Sequence, residues 1–330
     1  MRSADAGRSA APRLALSTMY RQRWSEAEGL APFLLAARRL GFAAIELSHI
    51  LPVEMLEGLL SADLQVTTLH HPCPRPPGWR DTDMLTAADP AARERAAAAL
   101  SDTIATAQRL GAGTVVMHLG QLEDDDAETS RHLRFELEAR QRAGLRHSKA
   151  YDTALARFHS WRDAREPAAL ERAWQGLQPL LAQAREGSIR LGLETGYHPH
   201  EMPSPAGMAW LLGHAAAEGW AGTVGAWLDT GHVGAQDALG TARWAEWWAA
   251  VDGRWVGTHL HDHVGLRDHL LPGLGVLDFA DLRPRLPQDA AVTLEVDWYF
   301  GEDEVAASLA RLAAWGWPLV GWPRTVAHGP

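Results

Sequence analysis

Eight short apolar segments, each followed by a longer stretch of helical spacing, predict an α/β chain folded as a (β/α)8 TIM barrel. Six consecutive segments end in a histidine or an acid, and a closed parallel barrel gathers strand ends of that kind into one mouth. No G-x-G-x-x-G follows the first segment, which disfavours the runner-up architecture, an open doubly wound sheet.

The predicted strands are 14–17, 43–47, 64–69, 114–117, 189–194, 224–229, 255–259 and 291–296. Predicted helices at 27–40, 91–110, 170–185, 205–217 and 305–315 are rich in Ala, Leu, Glu and Arg, with apolar residues at helical spacing. The first strand ends in Ser17-Thr18-Met19-Tyr20 and offers only weak polar groups. The second ends Ile45-Glu46-Leu47, and an acid closing an apolar strand needs water or a partner. Glu46 is thus a candidate for substrate contact or for supporting other site residues, with plain solvation as the alternative.

The third strand runs into His70-His71-Pro72-Cys73-Pro74, where the prolines stop it. As the strand terminus, His70 is preferred to His71 as a ligand candidate; the alternative is a hydrogen-bonded structural histidine. The fourth strand repeats the pattern with His118. Residues 121–166 then form a helical insertion longer than an ordinary βα loop, with an acidic run at 123–126 followed by Arg131, Arg134, Arg140, Arg142 and Arg146. A solvated helical face is the plain reading, and a lid over an anionic substrate or an arm between copies are the alternatives.

The fifth strand ends in Glu194, with Gly192 on the same face leaving room around it, and continues into His198 and His200. The sixth ends in Asp229, three residues before His232, although an Asp ahead of a helix is often only an N-cap. After the seventh, His259, His261, Asp262, His263, Asp268 and His269 fall within eleven residues. The eighth ends in Glu295, with Asp297 on the same face. Burying several carboxylates together is costly without a cation, and imidazole and carboxylate are the donors that divalent metals take, so a metal site is expected at the mouth.

The totals narrow the classes further. A net charge of -10 and a pI near 5.9 argue against nucleic acid as a general partner. The single Cys73 rules out an internal disulfide framework and fits a reducing cytoplasm. No apolar run approaches the roughly 20 residues of a membrane span. Residues 1–13 lack a signal-type apolar stretch and read as a disordered tail before one domain at 14–330. The Trp-rich segment 315–322 serves core packing or a contact between copies, which leaves a homo-oligomer open.

Four motifs, Leu193-Glu194, Trp227-Leu228-Asp229-Thr230-Gly231-His232, His259-Leu260-His261-Asp262 and the run from Asp268-His269 to Asp278, resemble in order and spacing the xylose isomerase-like TIM-barrel superfamily. That superfamily holds sugar phosphate isomerases and epimerases and the endonuclease IV group of apurinic-site nucleases, and the likeness runs over about 14–315. In the isomerase and epimerase branch the resemblance implies one divalent ion bound by Glu194, Asp229, His259 and Glu295. Glu194 and Glu295 would act as the acid/base pair on a C–H acidified by the metal. It assigns supporting or substrate-binding roles to Glu46, His198, His232 and His261.

In the nuclease branch further histidines build a three-zinc cluster, and His70, His118, His232 and His269 stand at matching places. The chain departs where Arg267 lies two residues before His269 and the acid is shifted to Asp268. The expectation is therefore a metal-dependent isomerase or epimerase of a small sugar-like substrate, with one to three divalent ions (Zn, Mn, Mg, Co or Fe). The alternatives are a multinuclear zinc phosphodiesterase of the endonuclease IV type, a multinuclear iron oxidative enzyme on the same barrel, and a binding module without turnover.

Overall fold

The computed structural model describes residues 14–56, 59, 64–123 and 127–317. The tail expected at 1–13, positions 124–126 of the acidic run and positions 318–322 of the Trp-rich segment lie outside the described residues. Eight parallel strands close into a barrel in chain order: β1 (Leu14–Ser17), β2 (Ala44–Leu47), β3 (Gln65–His70), β4 (Thr114–Met117), β5 (Arg190–Glu194), β6 (Val224–Asp229), β7 (Trp255–Leu260) and β8 (Ala291–Leu294). All eight predicted strands are present. β3 runs on to include His70, and β7 extends one residue past His259.

Register fixes which side chains meet. Ser17 pairs with Glu46, Glu46 with Thr68, Asp229 with His259, and His259 with Thr293. Because alternate residues share a face, the inward rows carry Gly192 and Glu194 on β5, Gly225, Trp227 and Asp229 on β6, and Gly257 and His259 on β7. Trp227 is fully buried. A Cβ on Gly192 would stand 3.1 Å from the indole, and one on Gly257 would collide with it. The two glycines thus make the space the ring occupies, and its edge meets His259 at 5.0 Å.

Helices wrap the barrel where the spacing predicts them: Ala31–Arg39, Pro90–Leu110, Pro205–Ala217 and Glu302–Ala314. Asp89 caps the second of these, and Gly111 ends it in the left-handed region at φ 72°. The single helix expected at 170–185 is instead two, Glu166–Leu177 and Leu181–Glu186, because Pro179 has no N–H to continue the ladder. Among the described residues the helices Thr230–Leu239, Trp244–Val251 and Phe279–Leu282 lie outside those predicted, as does the antiparallel hairpin of Asp262–Val264 with Arg267–Leu270. Among the described residues no helix is long and apolar enough to cross a membrane.

The segment between β4 and β5 carries helices at Ala127–Arg142 and Lys149–Asp163, and it is tied down at both ends. Arg146 donates to the Asp237 carbonyl at 2.6 Å and Tyr151 to the Leu239 carbonyl at 2.5 Å, which docks it on Thr230–Leu239. Buried Arg162 pairs with Glu166 at 3.1 Å and donates to the carbonyls of Pro199 and Glu201. It thereby fixes the loop that follows β5.

Replacing Trp227 by Ala should cost about 3–5 kcal/mol through lost burial and an unfilled cavity under the site. Denaturant unfolding would register this as a lower midpoint with an unchanged slope.

Candidate metal centre

At the C-terminal end of the barrel the strand-end residues draw together. Single donor atoms of Glu194, Asp229, His259 and Glu295 all lie within 4.8 Å of one another, and all four side chains are buried. His259 Nδ1 stands 2.9 Å from Glu194, 3.1 Å from Glu295 and 3.5 Å from Asp229. Its other nitrogen, Nε2, meets Glu46 at 2.9 Å. Glu46 is itself fully buried, and its second oxygen accepts from Thr68 at 2.7 Å and Thr293 at 3.1 Å. Glu46 therefore lies beneath the cluster with both oxygens engaged by protein groups, and it orients the His259 ring.

A second group forms from His70, His118 and Glu194. His70 Nε2 is 2.9 Å and His118 Nε2 3.3 Å from the Glu194 oxygen that His259 does not use. His118 is open to the mouth, with 40% of its side chain exposed. His71, by contrast, points to Thr103 at 3.2 Å, so of the adjacent pair it is His70 that joins the cluster.

A third group brings His232, His261 and His269 within the same 4.8 Å limit, with Asp268 3.2 Å from His269 and 3.8 Å from His232. Asp229 serves here twice over. One oxygen caps the helix Thr230–Leu239 by accepting the His232 amide at 2.8 Å, and its carboxylate also accepts His261 Nε2–H at 2.7 to 2.8 Å. A Cβ on Gly231 would run into the His261 ring, so the glycine of the Asp-Thr-Gly-His motif is required by this close approach. His198 lies apart from the clusters, 3.8 Å from Glu138 of the helix Ala127–Arg142 and against the Tyr197 ring.

The hydrogen bonds also decide tautomers. His70 and His232 each donate Nδ1–H to a backbone carbonyl, His71 at 3.0 Å and Thr195 at 2.9 Å, and His259 donates Nε2–H to Glu46. In all three, once the second proton leaves, the remaining nitrogen presents a lone pair to the cluster, the arrangement that metal-ligating histidines take. His261 is the reverse: its Nδ1 accepts the His269 amide at 2.9 Å, which leaves the proton on Nε2. The donor set and its outer partners fit a divalent ion at the first group and at the second, whereas His261 is held as a donor to Asp229.

Electrostatics follow from the same contacts. Burial opposes charge on Glu194 and Asp229, but the surrounding imidazoles outweigh it and hold both carboxyls well below their ordinary range. Burial likewise opposes protonation of His70 and His269, yet Glu194 raises the first to about 9 and Asp268 raises the second to about 10. One residue that sequence reasoning missed is His49, two positions beyond β2. Its Nδ1 is shut off from solvent without a partner, its ring lies 5.1 Å from His70, and burial lowers its pKa to about 3. A lone histidine after Ser48, with no acid beside it, carries no local signal of a site.

Residues 34–315 match the family model described as xylose isomerase-like TIM barrel, and the chain belongs to that family. No curated protein matches its sequence. Among solved structures it is similar in fold to a D-tagatose 3-epimerase-like protein, with 15% identity, TM-score 0.63, and 92% of this chain and 96% of that one covered. A D-psicose 3-epimerase of Clostridium cellulolyticum H10 gives 13% identity and TM-score 0.61, covering 92% and 98%. The TTHB071 protein of Thermus thermophilus, from a crystal soaked with ZnCl2, gives 22% identity and TM-score 0.55, covering 92% and 97%.

The raised histidines set a pH window for the metal-free protein. Their stabilising contribution is complete below the unfolded value of about 6.5 and is lost as pH rises through about 9 to 10. Its melting temperature should therefore fall from pH 6.5 to 10. Added ion should protect increasingly over the same window and release protons at pH 8, measurable by calorimetry in buffers of different ionisation enthalpy.

Proposed function

We propose that this chain is a divalent-metal-dependent isomerase or epimerase acting on a sugar or similar polyhydroxylated carbonyl compound. The observation that carries this is the buried group Glu194, Asp229, His259 and Glu295, in which three carboxylates surround the free nitrogen of one oriented imidazole. A divalent ion bound there supplies a Lewis acid that polarises a carbonyl and its neighbouring hydroxyl, so that the intervening C–H becomes acidic.

The two glutamates differ in what they have to spare. Glu194 has one oxygen against His259 and the other against His70 and His118. Glu295 accepts from Ser17 through Oε1 at 3.1 Å and faces His259 through Oε2 at 3.1 Å, and it has no second histidine cluster to serve. Glu295 is thus the first proton acceptor and Glu194 the returning acid, a duty Glu194 can perform only while the second group leaves one of its oxygens free. One ion, at the first group, is the content this reading needs in the resting protein. Zn, Mn, Co and Fe all suit this mixed imidazole and carboxylate set, and Mg suits the carboxylate-rich first group.

A second reading is favoured by one observation, the His70, His118 and Glu194 group, because a plain acid/base enzyme has no need of it. A second ion held by His70, His118 and Glu194 would supply hydrolytic or redox chemistry beside the first, and hydrolysis of a phosphoester or oxidative iron chemistry becomes the activity to test. The net charge of -10 counts against DNA as that substrate.

Glu295→Gln should lower kcat on the sugar substrate by about 10²–10⁴-fold. Full activity in that variant would sink the assignment. Elemental analysis paired with assays separates the two readings: one ion per chain with sugar turnover that Glu295→Gln abolishes supports the first, and two or more ions with phosphoester cleavage or oxygen uptake and no sugar turnover support the second.

A further inference from the structure

Beside the second ligand group a cavity of about 330 Å³ opens, walled by His49, Trp79, Met84, His118, Gln121 and Glu201. That is at the small end of ligand sites, roomy enough for a monosaccharide. It shares His70 and His118 with the proposed metal centre, so a molecule bound through that centre extends into it. Its walls divide by chemistry. Trp79 and Met84 present apolar surface, and the Trp79 ring is held edge-on by His71 at 5.7 Å, while His71 is itself anchored on Thr103. Gly120 lets this wall close in, since any Cβ at its φ of 125° would strike Met84 and Thr86.

On the polar side the groups are largely spent among themselves. Gln121 Oε1 is 3.1 Å from His200 Nε2, and Glu201 accepts the amides of Tyr197 at 2.7 Å and His198 at 3.1 Å. Among the described residues that line it, His49 Nδ1 is the buried polar atom with no partner. An unpaired buried polar atom costs roughly 1–3 kcal/mol, which a ligand hydroxyl would recover.

Charge narrows the ligand further. Asp81, Asp83 and Glu201 line the cavity, and among the described residues no Lys or Arg does. The guanidiniums that approach these acids are already committed, Arg75 to Asp81 at 3.6 Å and Arg95 to Asp83 at 2.6 Å. A phosphate group would meet Asp81, Asp83 and Glu201 with no Lys or Arg of the lining to receive it.

We propose that this cavity binds the uncharged, unphosphorylated polyhydroxy chain of the substrate, with His49 as hydroxyl partner and Trp79 as the apolar face against its C–H groups. This rests on the sugar reading above and adds that the sugar is free rather than a phosphate ester. The test is calorimetric binding to the metal-replete protein of free ketoses and aldoses of five and six carbons, and of their terminal phosphate esters, with turnover followed in parallel.

At least one free sugar should bind about tenfold or more tightly than its ester. His49→Ala and Trp79→Ala should each weaken that binding about tenfold, the worth of one hydrogen bond or one stacked face, with metal content unchanged. Tighter binding of the esters, no binding of any sugar, or unchanged affinity in both variants would overturn the proposal. Binding of free sugar that depends on His49 and Trp79 without turnover would leave this site standing and remove the isomerase reading instead.

Discussion

Three carboxylates, Glu194, Asp229 and Glu295, are sunk around one imidazole where water cannot spread their charge. Like charges in that setting demand positive charge close by, and much of the surrounding architecture answers that demand. His259 stands in the middle of the three, Glu46 steers it from below, and Thr68 and Thr293 hold Glu46 in turn. Without an ion the neighbouring histidines carry the compensating protons; with one, those protons leave. The centre is therefore a place where metal and hydrogen ions compete for the same lone pairs, and the barrel supplies the rigidity that keeps the competitors' seats fixed.

The barrel was legible because each strand is a short apolar run cut off by a polar residue, and that boundary is a local property. The same boundary exposed Glu194, Asp229, His259 and Glu295, and the structure draws these four into one cluster. What the sequence conceals is the far side of each ring. That Glu46 would turn inward to His259, 213 residues away, while His71 would turn to Thr103, depends on register between strands that no local pattern records. Trp227 is hidden for a similar reason: its fit needs vacancies at Gly192 and Gly257 on the two flanking strands. The helix Thr230–Leu239 is hard to read locally because Asp229 fits either a cap or a ligand, and it is placed to be both.

The insertion after β4 also reads differently once its contacts are known. Its Arg-rich composition suggested a solvated face or a lid, yet Arg146, Tyr151 and Arg162 spend their donors on carbonyls of the barrel's own connecting segments. Through Arg162 and Glu201 it stiffens the loop that carries Tyr197, whose hydroxyl reaches the Leu266 carbonyl on the hairpin beyond β7. The mouth is thus cross-tied from β5 to β7 above the clustered donors.

Gly231 and His261, far apart in the chain, have a bearing on how such a protein changes through descent. Because the imidazole fills the space a methyl at 231 would need, position 231 is not free to drift while His261 stays. A lineage that gave up the glycine would have to surrender the histidine as well, and with it the N–H that steadies Asp229. Residues 229–232 and 259–261 would then pass from ancestor to descendant as one inherited unit, to be kept or lost together.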